Sequence, residues 1–168
     1  MIERPEPESI PGYGRIPAAW NDLTRRVIGC AMEVHTHLGP GLVERLYEDA
    51  LDYELRRAGI AFARQHPVRV RYKEIVLSEQ RLDLFFPDLL VVEIKAVEHV
   101  PDIHLAQLVS YLRSADVPLG LLINFNAMRL KDGIFRRINP YSTAIRALPP
   151  LKRSPPSPSV PSDTSGFG

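Results

Sequence analysis

The stretch 81–97 constrains this chain more than any other, because its charges segregate from its apolar residues in only one strand pairing. It reads Arg-Leu-Asp-Leu-Phe-Phe, then Pro87-Asp88-Leu89, then Leu-Val-Val-Glu-Ile-Lys-Ala-Val, as two short strands joined by a turn. With a three-residue connection, Phe86 pairs with Leu90, and the antiparallel register sets Asp83 opposite Glu93 and Arg81 opposite Lys95. One face then reads Leu82, Leu84, Phe86, Leu90, Val92, Ile94 and Ala96, while Arg81, Asp83, Glu93 and Lys95 gather on the other. A two-residue connection would put Asp83 and Glu93 on opposite sides and mix charge into the core.

The flanking segments supply layers for such a sheet. Asn21 or Asp22 can cap a helix whose apolar positions Leu23, Val27, Ala31, Val34 and Leu38 recur at the helical period, with Gly39-Pro40-Gly41 as its stop. A second stripe, Val43, Leu46, Tyr47, Ala50, Leu51, Leu55 and Ala58, ends at Gly59. From Pro67 the period changes to two, with Val68, Val70 and Tyr72 alternating with Arg69, Arg71 and Lys73, and a turn is expected near residues 78–80. Pro101 and Asp102 open a third helix with Leu105, Leu108, Val109, Leu112 and Ala115 on its apolar face. The continuous apolar run 119–125 suits a central strand covered on both faces, and 134–138 suits an edge strand. The expected order is ααβββαββ, with both helices ahead of any strand.

Length and composition set the frame around this domain. A chain of 168 residues with 45% hydrophobic content can fill one core, and we expect one domain over 20–140. Residues 1–19 read as an irregular proline-rich arm, and 149–168 as a disordered Pro/Ser-rich tail. The one cysteine, Cys30, excludes an intrachain disulfide, and no Cys/His cluster has zinc spacing. No apolar run approaches the roughly 20 residues that span a bilayer, so we expect a cytoplasmic protein without a membrane partner. Lys plus Arg number 21 against 20 Asp plus Glu, so a polyanion would have to be held by a local patch. Arg69, Arg71 and Lys73 form one candidate, and Lys131, Arg136 and Arg137 another; both also read as wet strand faces.

Two carboxylates at cross-strand distance repel unless positive charge lies between them, and a hard divalent cation prefers oxygen ligands of this kind. Lys95 emerges on the same face, where an ammonium can orient or activate a nucleophile and offset developing negative charge. The same three residues also suit a structural ion pair with Lys95 as the bridge. Glu44 begins the second helix, where the dipole favours a carboxylate, and borders the stripe of Tyr47 and Leu51; a solvated helix-start glutamate reads equally well. His104, Gln107 and Tyr111 fall on one flank of the third helix, where Gln107 and Tyr111 can position a phosphate or water. His35 and His37 point to different faces of the first helix and make no metal pair.

The segment Gly41-Leu-Val-Glu44-Arg-Leu-Tyr47 is similar to the G-x-x-E-x-x-Y signature of a PD-(D/E)xK nuclease-like family. The resemblance continues through Arg81-Leu-Asp83-Leu, Val92-Glu93-Ile-Lys95-Ala-Val, His104-Leu-Ala-Gln107-Leu with Tyr111, and Gly120-Leu-Leu-Ile-Asn-Phe125. It implies an α/β fold with a restriction-endonuclease-like αβββαβ core, a mixed central sheet flanked by helices, and an extra N-terminal helix. It further implies a metal-dependent nuclease holding Mg²⁺ or Mn²⁺ on Asp83, Glu93 and Glu44. Lys95 and Gln107 would complete the catalytic set, with Tyr47, Tyr111 and Arg81 toward the substrate. DNA or RNA is the expected partner. The alternative is a nuclease fold kept as a nucleic-acid-binding, regulatory or protein-interaction module, with a homodimer or protein complex as one form of it.

Overall fold

The computed structural model describes residues 9–10 and 13–149, with side chains from residue 16 onward; the tail expected over 149–168 lies, beyond Pro149, outside the described residues. A small antiparallel ribbon, β1 (Ser9–Ile10) and β2 (Tyr13–Arg15), precedes α1 (Ala18–Leu38) and α2 (Glu44–Arg57). A five-stranded sheet follows in the order β3 (Ala63–Tyr72), β4 (Ile75–Phe86), β5 (Leu90–Lys95), β6 (Leu119–Asn124), β7 (Ile134–Ile138). Among the described strands only β5 and β6 run parallel, and α3 (Asp102–Ser114) makes the crossover between them. This is the mixed sheet with an αβββαβ core and an added helix that the sequence led us to expect.

Two apolar clusters hold the layers. The first joins Leu84, Phe86, Leu90, Val92 and Ile94 to Val27, Ala31 and Val34 of α1 and Tyr47, Leu51 and Leu55 of α2. The second joins Val91 and Leu122 to Leu108, Tyr111 and Leu112 of α3. Each fully buried aliphatic side chain contributes roughly 1.5–3 kcal/mol relative to exposure, so β5 and β6, buried along almost their whole length, anchor the domain. α3 lies close on β6: a Cβ at Gly120 would stand 3.0 Å from the Cδ1 atoms of both Leu108 and Leu112. A side chain there would require those two leucines to give way by a few tenths of an ångström.

The structure corrects several expectations. Residues 9–10 and 13–15 pair rather than forming part of an irregular arm, so strands precede the helices. α1 starts at Ala18 after Pro17, whose fixed φ suits a helix start, and Asn21 instead accepts a bond from Arg136 at 2.8 Å. The turn expected at 78–80 lies at Lys73 and Glu74, with Tyr72 pairing Ile75 and Lys73 in the left-handed region at φ 51°. Ser78, Glu79 and Gln80 are polar because their ribbon stands in solvent, not because the chain turns there. Leu82 belongs to the α3-side cluster although Leu84 belongs to the other. Between their partners His66 and Arg64, Gln65 has a φ of 50°, which breaks the regular alternation of β3. A 3₁₀ turn (Leu130–Gly133) and a short helix α4 (Thr143–Arg146) were not anticipated.

Candidate metal and active site

The β4–β5 hairpin has the register that segregation of charge required, with Leu84 opposite Val92 and Phe86 opposite Leu90. It stops one rung before Asp83 and Glu93. There the strands fork, and the Asp83 side chain takes over from the backbone: its Oδ2 accepts the Ile94 N–H at 2.8 Å. Asp83 Oδ1 accepts from Gln65 Nε2 at 3.3 Å. The carboxylate is therefore held in the fork rather than projecting freely from a sheet face.

β5 carries Glu93 inward, where it is 5% exposed and its Oε1 has no hydrogen-bond partner. Lys95, two residues on, donates to the Ile94 carbonyl at 2.9 Å. Its ammonium lies 3.7 Å from Glu44 Oε1 and 3.8 Å from Glu93 Oε2. α2 reaches the site from its first turn, where Glu44 also benefits from the helix dipole. One turn later Glu48, buried, accepts from Arg64 Nε at 2.6 Å and Gln65 Nε2 at 2.9 Å. From α3, Gln107 donates to the Tyr111 hydroxyl at 2.7 Å.

Burial and crowding of like charge set the electrostatics. Burial, reinforced by Asp83, pushes the Glu93 carboxyl up to about 8, against the opposing pull of Lys95. Such a group is largely protonated at neutral pH, so its approach to Lys95 is not a full ion pair. Burial also raises Asp83, opposed by the Ile94 amide, and Glu44, opposed by Lys95. Tyr111 is raised by burial and then by the Glu93 charge, which places α3 within electrostatic reach of the acids.

Tyr47, expected toward the substrate, is instead a buried structural residue. It is 0% exposed, stacks on Phe125 with ring centroids 4.7 Å apart, donates to the Gly39 carbonyl at 2.6 Å and accepts from the Leu42 amide at 3.1 Å. Its hydroxyl thus ties down the loop ahead of Glu44, in which Gly41 takes a φ of 102°. Arg81, also expected toward the substrate and opposite Lys95, is exposed, and its guanidinium donates to the Gln65 carbonyl. The β4–β5 ladder has ended before its position. The structure brings together Asp83, Glu93, Lys95 and Glu44, with Tyr111 and Gln107 alongside.

Glu48, Arg64 and Gln65 were missed by sequence reasoning. Glu48 stands four residues after Glu44 on the same helix flank, a spacing that could have flagged it. Nothing in the sequence marks Gln65.

A family model described as the PD-(D/E)XK nuclease superfamily matches residues 21–138. The chain belongs to that superfamily. No curated protein and no solved structure matches it. Asp83 and the triplet Glu93-Ile94-Lys95 lie within the matched residues. The donor set suits a hard divalent cation in kind, being all oxygen, and the orphaned Glu93 Oε1 is a buried acceptor that such an ion would satisfy. Among the described residues, no three His, Cys, Asp or Glu side chains are grouped so that they could hold a metal ion as they stand. Lys95 holds the gap between Glu44 and Glu93, and Asp83 is turned to the Ile94 amide. No helix among the described residues is long and apolar enough to cross a membrane.

Proposed function

We propose that this PD-(D/E)XK protein is a metal-dependent nuclease that hydrolyses a phosphodiester bond in DNA or RNA, with Asp83 and Glu93 as ligands of Mg²⁺ or Mn²⁺. The observation that carries this reading is the buried, unpartnered Glu93 Oε1 beside Asp83 and Lys95. A stable protein does not ordinarily bury an acidic oxygen without a partner, and sites where pKa values are strongly displaced cluster at functional centres. When bound, the cation supplies Lewis acidity toward a phosphate oxygen and acidifies water. The side chains do the rest. Lys95 places an ammonium beside the attacked phosphate, orienting the nucleophile and offsetting the charge that builds up there. Glu44 steadies Lys95 from across the gap and would supply a third carboxylate to a bound cation. Gln107 and Tyr111, already bonded to each other, offer amide and hydroxyl donors to a phosphate or water.

The test is incubation of the purified protein with single- and double-stranded DNA and RNA, with Mg²⁺ or with chelator. Cleavage is expected with Mg²⁺ only and is lost in Glu93→Ala, by about 10²–10³-fold or more. Chelator-resistant cleavage, or full activity in Glu93→Ala, would overturn the assignment. A second reading, a nuclease fold that binds nucleic acid without cutting it, draws on the Lys95 ammonium standing between Glu44 and Glu93, where it supplies the positive charge by itself. Salt-dependent binding without turnover in any metal would favour it.

A further inference from the structure

We infer that Gln65 is a positioning residue that fixes the orientation of the Asp83 carboxylate by tying it to Glu48 on α2. The inference rests on the reading that Asp83 serves the site, and it assigns a role to a residue that touches no substrate.

The backbone is the first observation. Gln65 sits inside β3 with a φ of 50°, a conformation that a residue with a Cβ adopts only when its surroundings hold it there. The β3–β4 ladder passes from Arg64 opposite Leu84 to His66 opposite Leu82, so the intervening position facing Asp83 makes no regular rung. The irregular residue thus lies directly across from the site's aspartate.

The side chain is the second. Gln65 Nε2 has two hydrogens, and both find carboxylates: Glu48 Oε1 at 2.9 Å and Asp83 Oδ1 at 3.3 Å. Turning the amide over would aim a carbonyl oxygen at two acids, so the chemistry fixes which end is nitrogen. Glu48 is a firm anchor, since it is 8% exposed and is also gripped by Arg64 Nε, whose other arm reaches Asp49. Asp83 is then fixed at both oxygens, Oδ1 by Gln65 and Oδ2 by the Ile94 amide. A neutral side chain with two donors links two acids without adding charge beside Lys95. Glutamate has no hydrogen to give, and leucine has no polar group at all. A divalent ion needs its ligands pre-aimed, and loss of the partners that orient them ordinarily costs about 10–100-fold in metal affinity.

Two variants separate positioning from mere structure. Gln65→Gly removes the amide but suits the left-handed backbone, so the relief of strain offsets the lost hydrogen bonds and its Tm should stay within about 2–4 °C of the wild type. Gln65→Leu removes the donors while keeping a Cβ. In both, Mn²⁺ titrated calorimetrically should bind about 10–100-fold more weakly, and kcat should fall with KM unchanged. The metal-free readout is amide hydrogen exchange at Ile94 in chelator, which should accelerate once Asp83 can swing away. A folded Gln65→Gly protein with wild-type Mn²⁺ affinity and unaltered Ile94 exchange overturns the inference. Faster Ile94 exchange in a protein whose wild type neither binds Mn²⁺ nor cuts nucleic acid upholds the positioning and overturns the nuclease reading instead.

Discussion

The two ends of the β3–β4 hairpin are built from similar residues and behave differently. At the end nearest α2, Leu82, Leu84 and Phe86 are at most 1% exposed, and the charged groups of Arg64, Glu48 and Asp83 are bonded into one network through Gln65. At the far end Tyr72, Ile75, Val76 and Leu77 are 47–60% exposed, and Arg69 pairs across the ribbon with Glu79 in open solvent. β5 accompanies β4 only from Leu84 onward, so the outer ribbon has one strand neighbour where the inner part has two. Alternation of charged and apolar residues thus becomes chemistry only where a further strand and a helix exclude water. The same alternation elsewhere is a solvated ribbon.

Leucine truncation tests that contrast most strongly. Leu84→Ala removes a fully buried side chain between the sheet and the α1–α2 layer and should cost about 2–5 kcal/mol. Leu77→Ala, seven positions earlier on the same strand and 60% exposed, should stay within about 0.5 kcal/mol. Urea unfolding of both proteins measures the difference. Similar losses in the two would mean that the outer ribbon is packed in solution, and the comparison would fail.

The site and the fold were legible in the sequence to different depths. Pairing of β4 with β5 was readable because one register alone separates Asp83, Glu93 and Lys95 from Leu84, Phe86, Val92 and Ile94. The third helix was readable from its apolar period and the central strand β6 from an uninterrupted apolar run. Tyr47 was misread because a tyrosine one turn from a candidate acid suits a ligand contact as well as a buried prop. Only the Gly39 and Leu42 bonds and the Phe125 stack decide it. Gln65 was invisible because its role depends on a left-handed φ inside a strand, which follows from tertiary contacts rather than from local preference. The turn at Lys73 was missed for the converse reason. It lacks the Asn-Gly or Gly-rich signature of tight hairpins, while the polar residues Ser78, Glu79 and Gln80 imitate one.

The pH dependence of stability should follow the inner end of the hairpin. Glu93 titrates near 8 in the folded chain against an ordinary 4.5, so between those values the folded state holds a proton that the unfolded state has released. Stability from this group is complete below about pH 4.5 and is lost as pH rises through about 8. Asp83 and Glu44, both raised by burial, act in the same direction at lower pH. Metal-free Tm should therefore decline from about pH 5 to about pH 9, and Glu93→Gln should flatten the decline. Binding of a divalent ion near neutrality should release about one proton, seen as a dependence of the calorimetric heat on the buffer's ionisation enthalpy. A wild-type profile with no decline would show that Glu93 is better solvated than its place in β5 implies.

The smallest effect is expected at the outer end. Replacing Arg69 and Arg71 by serine removes two exposed guanidiniums, one of them opposite Glu79 on the neighbouring strand. Opposite charges facing each other across exposed strands contribute at most about 0–1 kcal/mol, because water screens them. Unfolding in urea should shift by no more than that, and the shift should vanish in high salt. If the double variant instead left stability alone but weakened the binding of a labelled duplex and lowered its salt slope by about two units, the ribbon would be gripping phosphates. Its exposure would then be a feature of the free protein only. The contrast between the two ends would become one between a site that acts on the phosphodiester and an arm that holds the strand on either side of it.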